Sequence, residues 1–266
     1  MKIGIISDIH LDINKEYPVL EVLAETLQKE ECSGLILAGD VSSRAYTTLE
    51  LLEKIRNRIK MPLWFVPGNH DMWDDENRFR DAWHIYDEYK NTEGCLCGKA
   101  EDIGENRILT GSVGWYDYSF GDPRFSEEEF NSKKRNGRTW QDSIFAHWGK
   151  SDREVCLYCL EELKNAVRGN ENKEITAVTH MLAIPEFTVS TEKKDWDFFN
   201  AFLGSRVYGD FFEKAGIRRS ITGHVHHRQT LNRGDTIHQC ACLGYYSEWN
   251  TDDVEREIND AMQFIL

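Results

Sequence analysis

Seven residues of this sequence have the side chains and the positions needed to bind metal ions. Each stands at or just after the end of a short apolar run. Together they supply carboxylate oxygens, imidazole nitrogens and one amide oxygen. Divalent ions of the first transition row accept this ligand set, which contains no thiolate. The seven residues are Asp8, His10, Asp40, Asn69, His180, His224 and His226.

The spacing of these residues supports a shared centre. Asp8 and His10 form a D-x-H motif, and His224 and His226 form an H-x-H motif. In extended backbone, residues two apart point the same way, so both side chains of each pair can reach one centre. A single motif of this kind is common. Five separate segments in one order, each at a predicted strand end, indicate one site rather than coincidence.

The elements that carry these residues follow from hydrophobic periodicity. Residues 2–7, 34–39 and 62–68 are short apolar runs and predict buried strands. Residues 18–30 and 45–59 place apolar side chains at helical spacing. This alternation predicts two βαβ units and a parallel sheet covered by helices. Because the loops beyond the carboxyl ends of parallel strands lie together, we expect the ligands to meet at one edge of the sheet.

The rest of the chain continues with mixed elements. Strands are predicted at 107–115, 174–180 and 218–224, a hairpin at 227–241, and helices at about 75–90, 151–168 and 196–215. Residues 115–150 lack periodicity and are rich in aromatic and charged side chains, and the charged tail after Asn250 gives no clear pattern. We interpret the chain as one domain, residues 1–266, with a cap-like insertion at about 115–150.

Composition limits the kinds of partner. Hydrophobic residues make up 40% of the chain and aromatic residues 12%, which predicts a packed core. With 32 basic and 46 acidic residues, the net charge is −14. This balance disfavours non-specific binding to nucleic acid or an anionic membrane, which both need clustered Lys and Arg. A metal site can still be locally positive and attract a phosphate ester.

No segment predicts export or membrane insertion. The apolar run at residues 1–7 is too short for a signal peptide, and no run reaches the roughly 20 apolar residues of a membrane helix. Cys156 and Cys159 form a C-x-x-C motif in a predicted helix, but no second such motif completes a zinc site. We interpret both as apolar helix residues and expect a cytoplasmic protein with reduced thiols.

The ordered motifs resemble the signature of the calcineurin-like metallophosphoesterase superfamily: D-x-H, G-D, G-N-H-D, an isolated His and G-H-x-H, spanning residues 8–226. The resemblance implies an α/β fold with four layers, α-β-β-α, in which two mixed sheets pack together and helices flank them. It also implies two divalent metal ions, whose identity stays open among Mn, Fe, Zn, Co and Ni. One metal would be held by Asp8, His10 and His226, the second by Asn69, His180 and His224, and both would be bridged by Asp40.

The same resemblance implies hydrolysis of phosphate esters, either monoesters or diesters, of a phosphorylated small molecule or a nucleotide. A metal-bridging hydroxide would attack phosphorus. His70, beside the metals, would protonate the leaving oxygen or stabilise the developing charge. Asp71 would either orient His70 or cap the turn, and both alternatives stay open.

Three residues are candidates for substrate binding. Arg44 matches in position the phosphate-contacting arginine of Ser/Thr protein phosphatases in this superfamily, although Ser43 replaces the second aspartate of their motif. A protein-phosphatase specificity is therefore disfavoured. Trp115 and Tyr116 directly follow a predicted strand, and we hypothesise that one of them stacks on the substrate. The alternative is that these aromatics form core beneath a long loop.

Two other functions stay open. The G-N-H-D motif also occurs in nucleases of the superfamily, which usually need a basic groove. The strongest basic cluster here comprises Lys133, Lys134, Arg135 and Arg138. A metal-free binding scaffold would have lost ligands, and none is missing from this sequence.

Overall fold

The computed structural model describes residues 1–266, and its secondary structure comprises nine α-helices and twelve strands. The helices are α1 (Val19–Lys29), α2 (Ala45–Ile59), α3 (Ala82–Asn91), α4 (Glu127–Ser132), α5 (Asp142–Phe145), α6 (Asp152–Val167), α7 (Trp196–Phe199), α8 (Arg206–Lys214) and α9 (Val254–Ala261). The strands are β1 (Ile3–Ile6), β2 (Gly34–Ala38), β3 (Leu63–Val66), β4 (Ala100–Gly104), β5 (Arg107–Ser112), β6 (Lys134–Arg135), β7 (Arg138–Thr139), β8 (Glu174–Thr179), β9 (Arg219–Thr222), β10 (Gln229–Arg233), β11 (Thr236–Cys240) and β12 (Gln263–Ile265).

The first sheet has the strand order β12-β1-β2-β3. Strands β1, β2 and β3 are parallel, as the βαβ pattern predicts. Every residue of β1 and β2 is buried, because both faces of the sheet are covered. The tail after Asn250 forms α9 and β12, and β12 pairs antiparallel with β1 so that Ile265 lies opposite Ile3. Sequence periodicity gave no sign of this pairing.

The second sheet has the order β10-β11-β9-β8-β5-β4. Its inner strands are parallel, and antiparallel hairpins form both edges. Strand β3 of the first sheet contacts β5 and β8 of the second, and one cluster of buried apolar side chains extends through both sheets. Helix α1 lies between α2 and α9, and α6 packs on β5. The expected fold, two packed mixed sheets with flanking helices, is confirmed.

Two helices differ from their sequence predictions. The helix expected from about residue 75 begins at Ala82, after the N-cap Asp81. Before it, the Asp74 carboxylate accepts the backbone N–H groups of Arg78 and Phe79 and holds this stretch in a turn. The helical region predicted at 196–215 is divided into α7 and α8 by a 3₁₀ turn at Asn200–Phe202.

Residues 115–150 contain only short elements, which a buried carboxylate anchors to the main body. Asp152, in the first turn of α6, accepts the indole N–H of Trp115 at 2.7 Å and the ammonium of Lys133 at 2.9 Å. In the same helix, Cys156 and Cys159 are buried, and burial raises the thiol pKa values to about 12 and about 11.

No helix combines the length and apolar character needed to span a membrane.

Candidate metal centre

The first cluster of candidate ligands joins the loops after β1 and β9. Asp8, His10 and His226 place their ligand atoms within 4.8 Å of one another. The two imidazole Nε2 atoms are 3.3 Å apart, and Nε2 of His226 is 3.4 Å from Oδ1 of Asp8. His10 is fully buried, and its Nδ1 has no hydrogen-bond partner. Three donor atoms thus converge on one point between the sheets.

The second cluster joins the loops after β2, β3, β8 and β9. Its Asp40, His180 and His224 also have ligand atoms within 4.8 Å of one another. Nε2 of His180 lies 3.1 Å from Oδ1 of Asn69 and 3.3 Å from Oδ2 of Asp40. The same Asp40 oxygen is 3.6 Å from Nε2 of His10, so one carboxylate oxygen faces both clusters.

The donor set of these clusters fits two divalent cations. Nε2 of His224 is buried without a partner, which is unfavourable unless a cation or donor satisfies it. Burial alone raises a carboxyl pKa, but the His226 hydrogen bond and the His180 charge hold the pKa of Asp8 well below its usual range. Burial lowers an imidazole pKa, yet the Asp40 carboxylate raises the pKa of His180 to about 10. The buried carboxylates therefore favour nearby positive charge. Divalent ions would supply this charge, and the imidazoles would lose their extra protons when the ions bind.

Hydrogen bonds away from the clusters orient two of the imidazoles. Nδ1 of His180 lies 2.9 Å from the carbonyl oxygen of Ala38, and Nδ1 of His226 lies 2.6 Å from Oε2 of Glu248. When Nδ1 donates its proton outward, Nε2 is left unprotonated and free to bind a metal. Glu248 carries no motif and was not predicted from the sequence, because only the fold brings it to His226.

The D-x-H and H-x-H spacing predicts extended backbone at the candidate ligands, but the structure departs from it. Positive φ angles occur at five of the seven positions, although residues other than glycine rarely adopt them. These are Asp8 (54°), His10 (37°), Asp40 (53°), His224 (76°) and His226 (52°). Asp8 and His10 both reach the first cluster, but through left-handed backbone rather than strand alternation, whereas His226 reaches the first cluster and His224 the second. Such strain persists only where the surrounding packing holds it, and it concentrates at functional sites.

His70 lies beside both clusters. Its ring stacks on Trp73 with centroids 3.7 Å apart, and it meets the His10 ring edge-on at 5.1 Å. Its backbone N–H donates to Oδ1 of Asp40 at 3.0 Å. Burial lowers the pKa of His70. The position next to the ligand atoms is the one expected for a residue that contacts the phosphate.

Comparison with known proteins agrees with this geometry. A sequence model described as calcineurin-like phosphoesterase matches residues 1–228. The chain belongs to this family. The family is dimetal-dependent, and the clusters above are the candidate metal-ligand groups of this phosphoesterase. No match was found among curated proteins.

Solved structures with the same fold include phosphopantetheinyl hydrolase from Mycobacterium tuberculosis. That chain is 20% identical, with a TM-score of 0.74 over 100% of this chain and 95% of its own. A dimetal phosphatase from Danio rerio is 12% identical, with a TM-score of 0.53 over 90% of this chain and 86% of its own. At these identities the likeness establishes the fold alone.

In this phosphoesterase, Asp71 holds loops together and does not orient His70. Its carboxylate accepts the backbone N–H of Gly68 at 2.8 Å and that of Val41 at 3.0 Å, and the Thr48 hydroxyl donates to it at 2.6 Å. Burial, reinforced by the nearby Asp40 charge, raises the pKa of Asp71 to about 7. No hydrogen bond joins this carboxylate to the His70 ring, so its contacts favour the turn-capping alternative.

None of the three candidate substrate-binding residues lines the cavity at the candidate centre. Arg44 pairs with Asp75 at 2.9 Å and donates to the Tyr46 hydroxyl. Trp115 and Tyr116 have no exposed surface and lie in the core. Neither aromatic lines the cavity at the candidate centre, and their full burial contradicts the hypothesis that either one stacks on a substrate.

The cavity that opens on the candidate centre has a volume of about 520 Å³. Asp40, Asn69 and His70 form its inner wall. The insertion does reach the cavity, through Arg138 to Asp142 rather than through its first residues. Other lining residues are Lys193 before α7, Trp196 at its first position, Leu203 after it, and Tyr245 and Glu248 after β11.

Proposed function

We propose that this phosphoesterase is a binuclear metal-dependent hydrolase of small phosphorylated molecules. The observation that carries the proposal is the position of Asp40, whose Oδ2 lies 3.6 Å from Nε2 of His10 and 3.3 Å from Nε2 of His180. One carboxylate oxygen is thus available to both clusters. One ion would be held by Asp8, His10 and His226, the other by Asn69, His180 and His224, and both by Asp40.

The bound ions would supply Lewis acidity for water and for the phosphate oxygens. Among the protein's own groups, His70 is the candidate hydrogen-bond donor to the phosphate. The lowered pKa of His70 and the adjacent cations favour its neutral form, which keeps one ring N–H. We therefore propose that His70 donates a hydrogen bond to a phosphate oxygen, with its ring held by the stack on Trp73.

The cavity supports a substrate with a flat or apolar part and a second anionic group. The indoles of Trp140 and Trp196 line it, as do the cationic side chains of Arg138 and Lys193, neither of which forms a salt bridge. The Arg138 guanidinium lies 4.5 Å from the centroid of the Phe199 ring, which supports it at the cavity wall. A nucleotide has the chemistry that fits these groups.

A nuclease acting on long strands is less well supported than a small-molecule hydrolase. Of the basic cluster in the insertion, Lys133 is paired with Asp152 at 2.9 Å and Arg135 with Glu129 at 3.9 Å. Only Arg138 of that cluster lines the cavity. The net charge of −14 adds no attraction for a polyanion.

The test is hydrolysis of bis-p-nitrophenyl phosphate and p-nitrophenyl phosphate by protein stripped with chelator and reloaded with manganese. Asp40→Ala is the control. Turnover that needs metal and is absent from Asp40→Ala is expected, and the diester-to-monoester ratio then assigns the substrate class. Turnover of neither ester with any divalent metal would favour the scaffold alternative.

A further inference from the structure

Asp142, the first residue of α5, is a buried carboxylate with an exposed fraction of 1%. It belongs to the insertion and to none of the motifs that mark the candidate centre. It has no Lys or Arg partner; three N–H groups satisfy it instead. Oδ1 accepts from Nδ2 of Asn69 at 2.8 Å and from Nε1 of Trp73 at 2.7 Å, and Oδ2 accepts from Nε1 of Trp140 at 2.8 Å.

The three donors belong to three different parts of the centre. Asn69 is a candidate metal ligand. Trp73 carries the stacked ring of His70. Trp140 lines the cavity and meets the ring of His224 edge-on, with centroids 5.8 Å apart. The Asp142 carboxylate therefore contacts the candidate ligand Asn69, the Trp73 ring that stacks on His70, and Trp140 in the cavity wall.

The hydrogen bond to Asn69 has a directional consequence. A carboxylate only accepts, so the amide of Asn69 must turn its NH₂ group towards Asp142. Its oxygen then faces the opposite way, 3.1 Å from Nε2 of His180. If position 142 accepted no such bond, the amide could rotate and present NH₂ to the centre, and an NH₂ group does not bind a cation.

We propose that Asp142 is a positioning residue that fixes the amide of Asn69 with its oxygen towards the second metal ion. Through the indole of Trp140, it also joins that ligand to the wall of the substrate cavity. The inference rests on the proposed function, since it requires that Asn69 binds metal. Residues that hydrogen-bond to metal ligands typically change metal affinity by 10- to 100-fold when substituted.

The experiment measures Mn²⁺ binding to chelator-stripped protein by calorimetry and bound metal by elemental analysis. Asp142→Asn keeps the shape of the side chain but replaces one acceptor oxygen with a donor. We expect one of the two ions to bind about 10- to 100-fold more weakly. Asp152→Asn is the matched control, because Asp152 is a buried insertion-anchoring carboxylate that also accepts an indole N–H but contacts no ligand. We expect it to bind both ions as the unsubstituted protein does.

Restoration separates positioning from general packing. In Asn69→Asp/Asp142→Asn the hydrogen bond is reversed, and residue 69 presents an oxygen to the centre in either orientation. The single variant Asn69→Asp places two carboxylates against each other. A double-mutant cycle should therefore show that Asn69→Asp weakens Mn²⁺ binding beside Asp142 and strengthens it beside Asn at position 142.

The outcomes distinguish this inference from the proposed function. If the unsubstituted protein binds no Mn²⁺, the proposed function fails and the inference with it. If it binds two ions and Asp142→Asn binds them equally well, or Asp152→Asn loses one too, the inference alone is overturned. Should Asp142→Asn fail to fold, the double variant carries the test: two bound ions are expected, and fewer overturn the inference.

Discussion

The carboxylate of Asp71 accepts the backbone N–H of Gly68 and closes the turn that presents Asn69. The same carboxylate accepts the N–H of Val41, which follows Asp40 in the neighbouring loop. One buried side chain thus fixes two loops that carry candidate ligands, and it does so through backbone groups. These contacts favour a structural role for the acidic residue of the G-N-H-D motif.

Replacing Asp71 with Asn should reduce stability. An amide has one acceptor oxygen, and its NH₂ group would face N–H donors that need an acceptor. The expected loss is about 2 to 3 kcal/mol in the free energy of unfolding, measured with urea. Asp75→Asn, which removes a surface partner of Arg44, should change it by less than about 1 kcal/mol. If the unfolding curve is unchanged and the pH dependence of kcat is altered, Asp71 has a catalytic role instead.

Replacing His180 with Ala removes a candidate ligand of the second ion. We expect elemental analysis to find one bound Mn²⁺ instead of two. Hydrolysis of p-nitrophenyl esters should fall by at least about 100-fold, which corresponds to about 3 kcal/mol of lost transition-state stabilisation. His84→Ala is the control, because His84 is exposed and pairs only with Glu88. Two ions bound to His180→Ala would remove His180 from the ligand set.

Replacing Glu248 with Gln tests the orientation of His226. The carboxylate lies 2.6 Å from Nδ1 of His226 and favours the tautomer with a free Nε2. Metal affinity should fall about 10- to 100-fold while the unfolding midpoint of the metal-free protein changes little. Calorimetric titration with Mn²⁺ measures the first quantity and urea unfolding the second. Equal affinity in the two proteins would show that His226 is oriented by packing alone.

His238 should make the stability depend on pH. It is buried, neither ring nitrogen has a partner, and burial together with the Arg233 charge lowers the pKa of His238 to about 4. Between about pH 6.5 and pH 4 the unfolded chain therefore binds more protons at this residue than the folded one, so its contribution to stability falls as the pH falls.

The variant His238→Leu should lose less stability on acidification. From pH 7 to pH 5 the decrease in the free energy of unfolding should be smaller by about 2 kcal/mol than in the unsubstituted protein. Urea unfolding at the two pH values measures the difference. Parallel decreases in both proteins would mean that His238 becomes protonated in the folded state without penalty.

Substitutions of two tryptophans distinguish a residue of the core, Trp115, from a residue of the cavity wall, Trp140. Trp115→Ala should lower the free energy of unfolding by about 3 to 5 kcal/mol, because the side chain is fully buried. It should leave the diester-to-monoester activity ratio unchanged. Trp140→Ala, at the cavity wall, should change that ratio. A changed ratio in Trp115→Ala alone would contradict the assignment of Trp115 to the core.

The sequence predicted the features that depend on local pattern. Short apolar runs and helical spacing gave the parallel strands β1 to β3, and the residues after each strand gave the candidate ligands, because a parallel sheet brings its strand ends together. The direction of side chains beyond those ends was not readable. The Arg44 side chain pairs with Asp75 and the Trp115 side chain lies in the core, and both placements depend on tertiary contacts.

The residues that hydrogen-bond to the candidate ligands, Asp142 and Glu248, were not predicted from the sequence for the same reason. Asp142 is 73 positions from Asn69 and Glu248 is 22 positions from His226. Neither carboxylate has a neighbouring motif, and each lies in an element of only three or four residues, too short to show a periodicity. The left-handed backbone at Asp8 and His10 was equally hidden, because these residue types usually adopt other conformations.

The antiparallel pairing of β12 with β1 has a consequence for synthesis on the ribosome. Strand β1 can pair with β2 early, but its other edge stays open until residues 263–265 emerge. At about 5 to 20 residues per second, that interval is on the order of 10 to 50 seconds. An apolar edge strand left open for so long invites pairing with other chains, so nascent-chain chaperones should protect this protein. Asp8, the first candidate ligand to be translated, can meet His226 only after most of the chain has been synthesised.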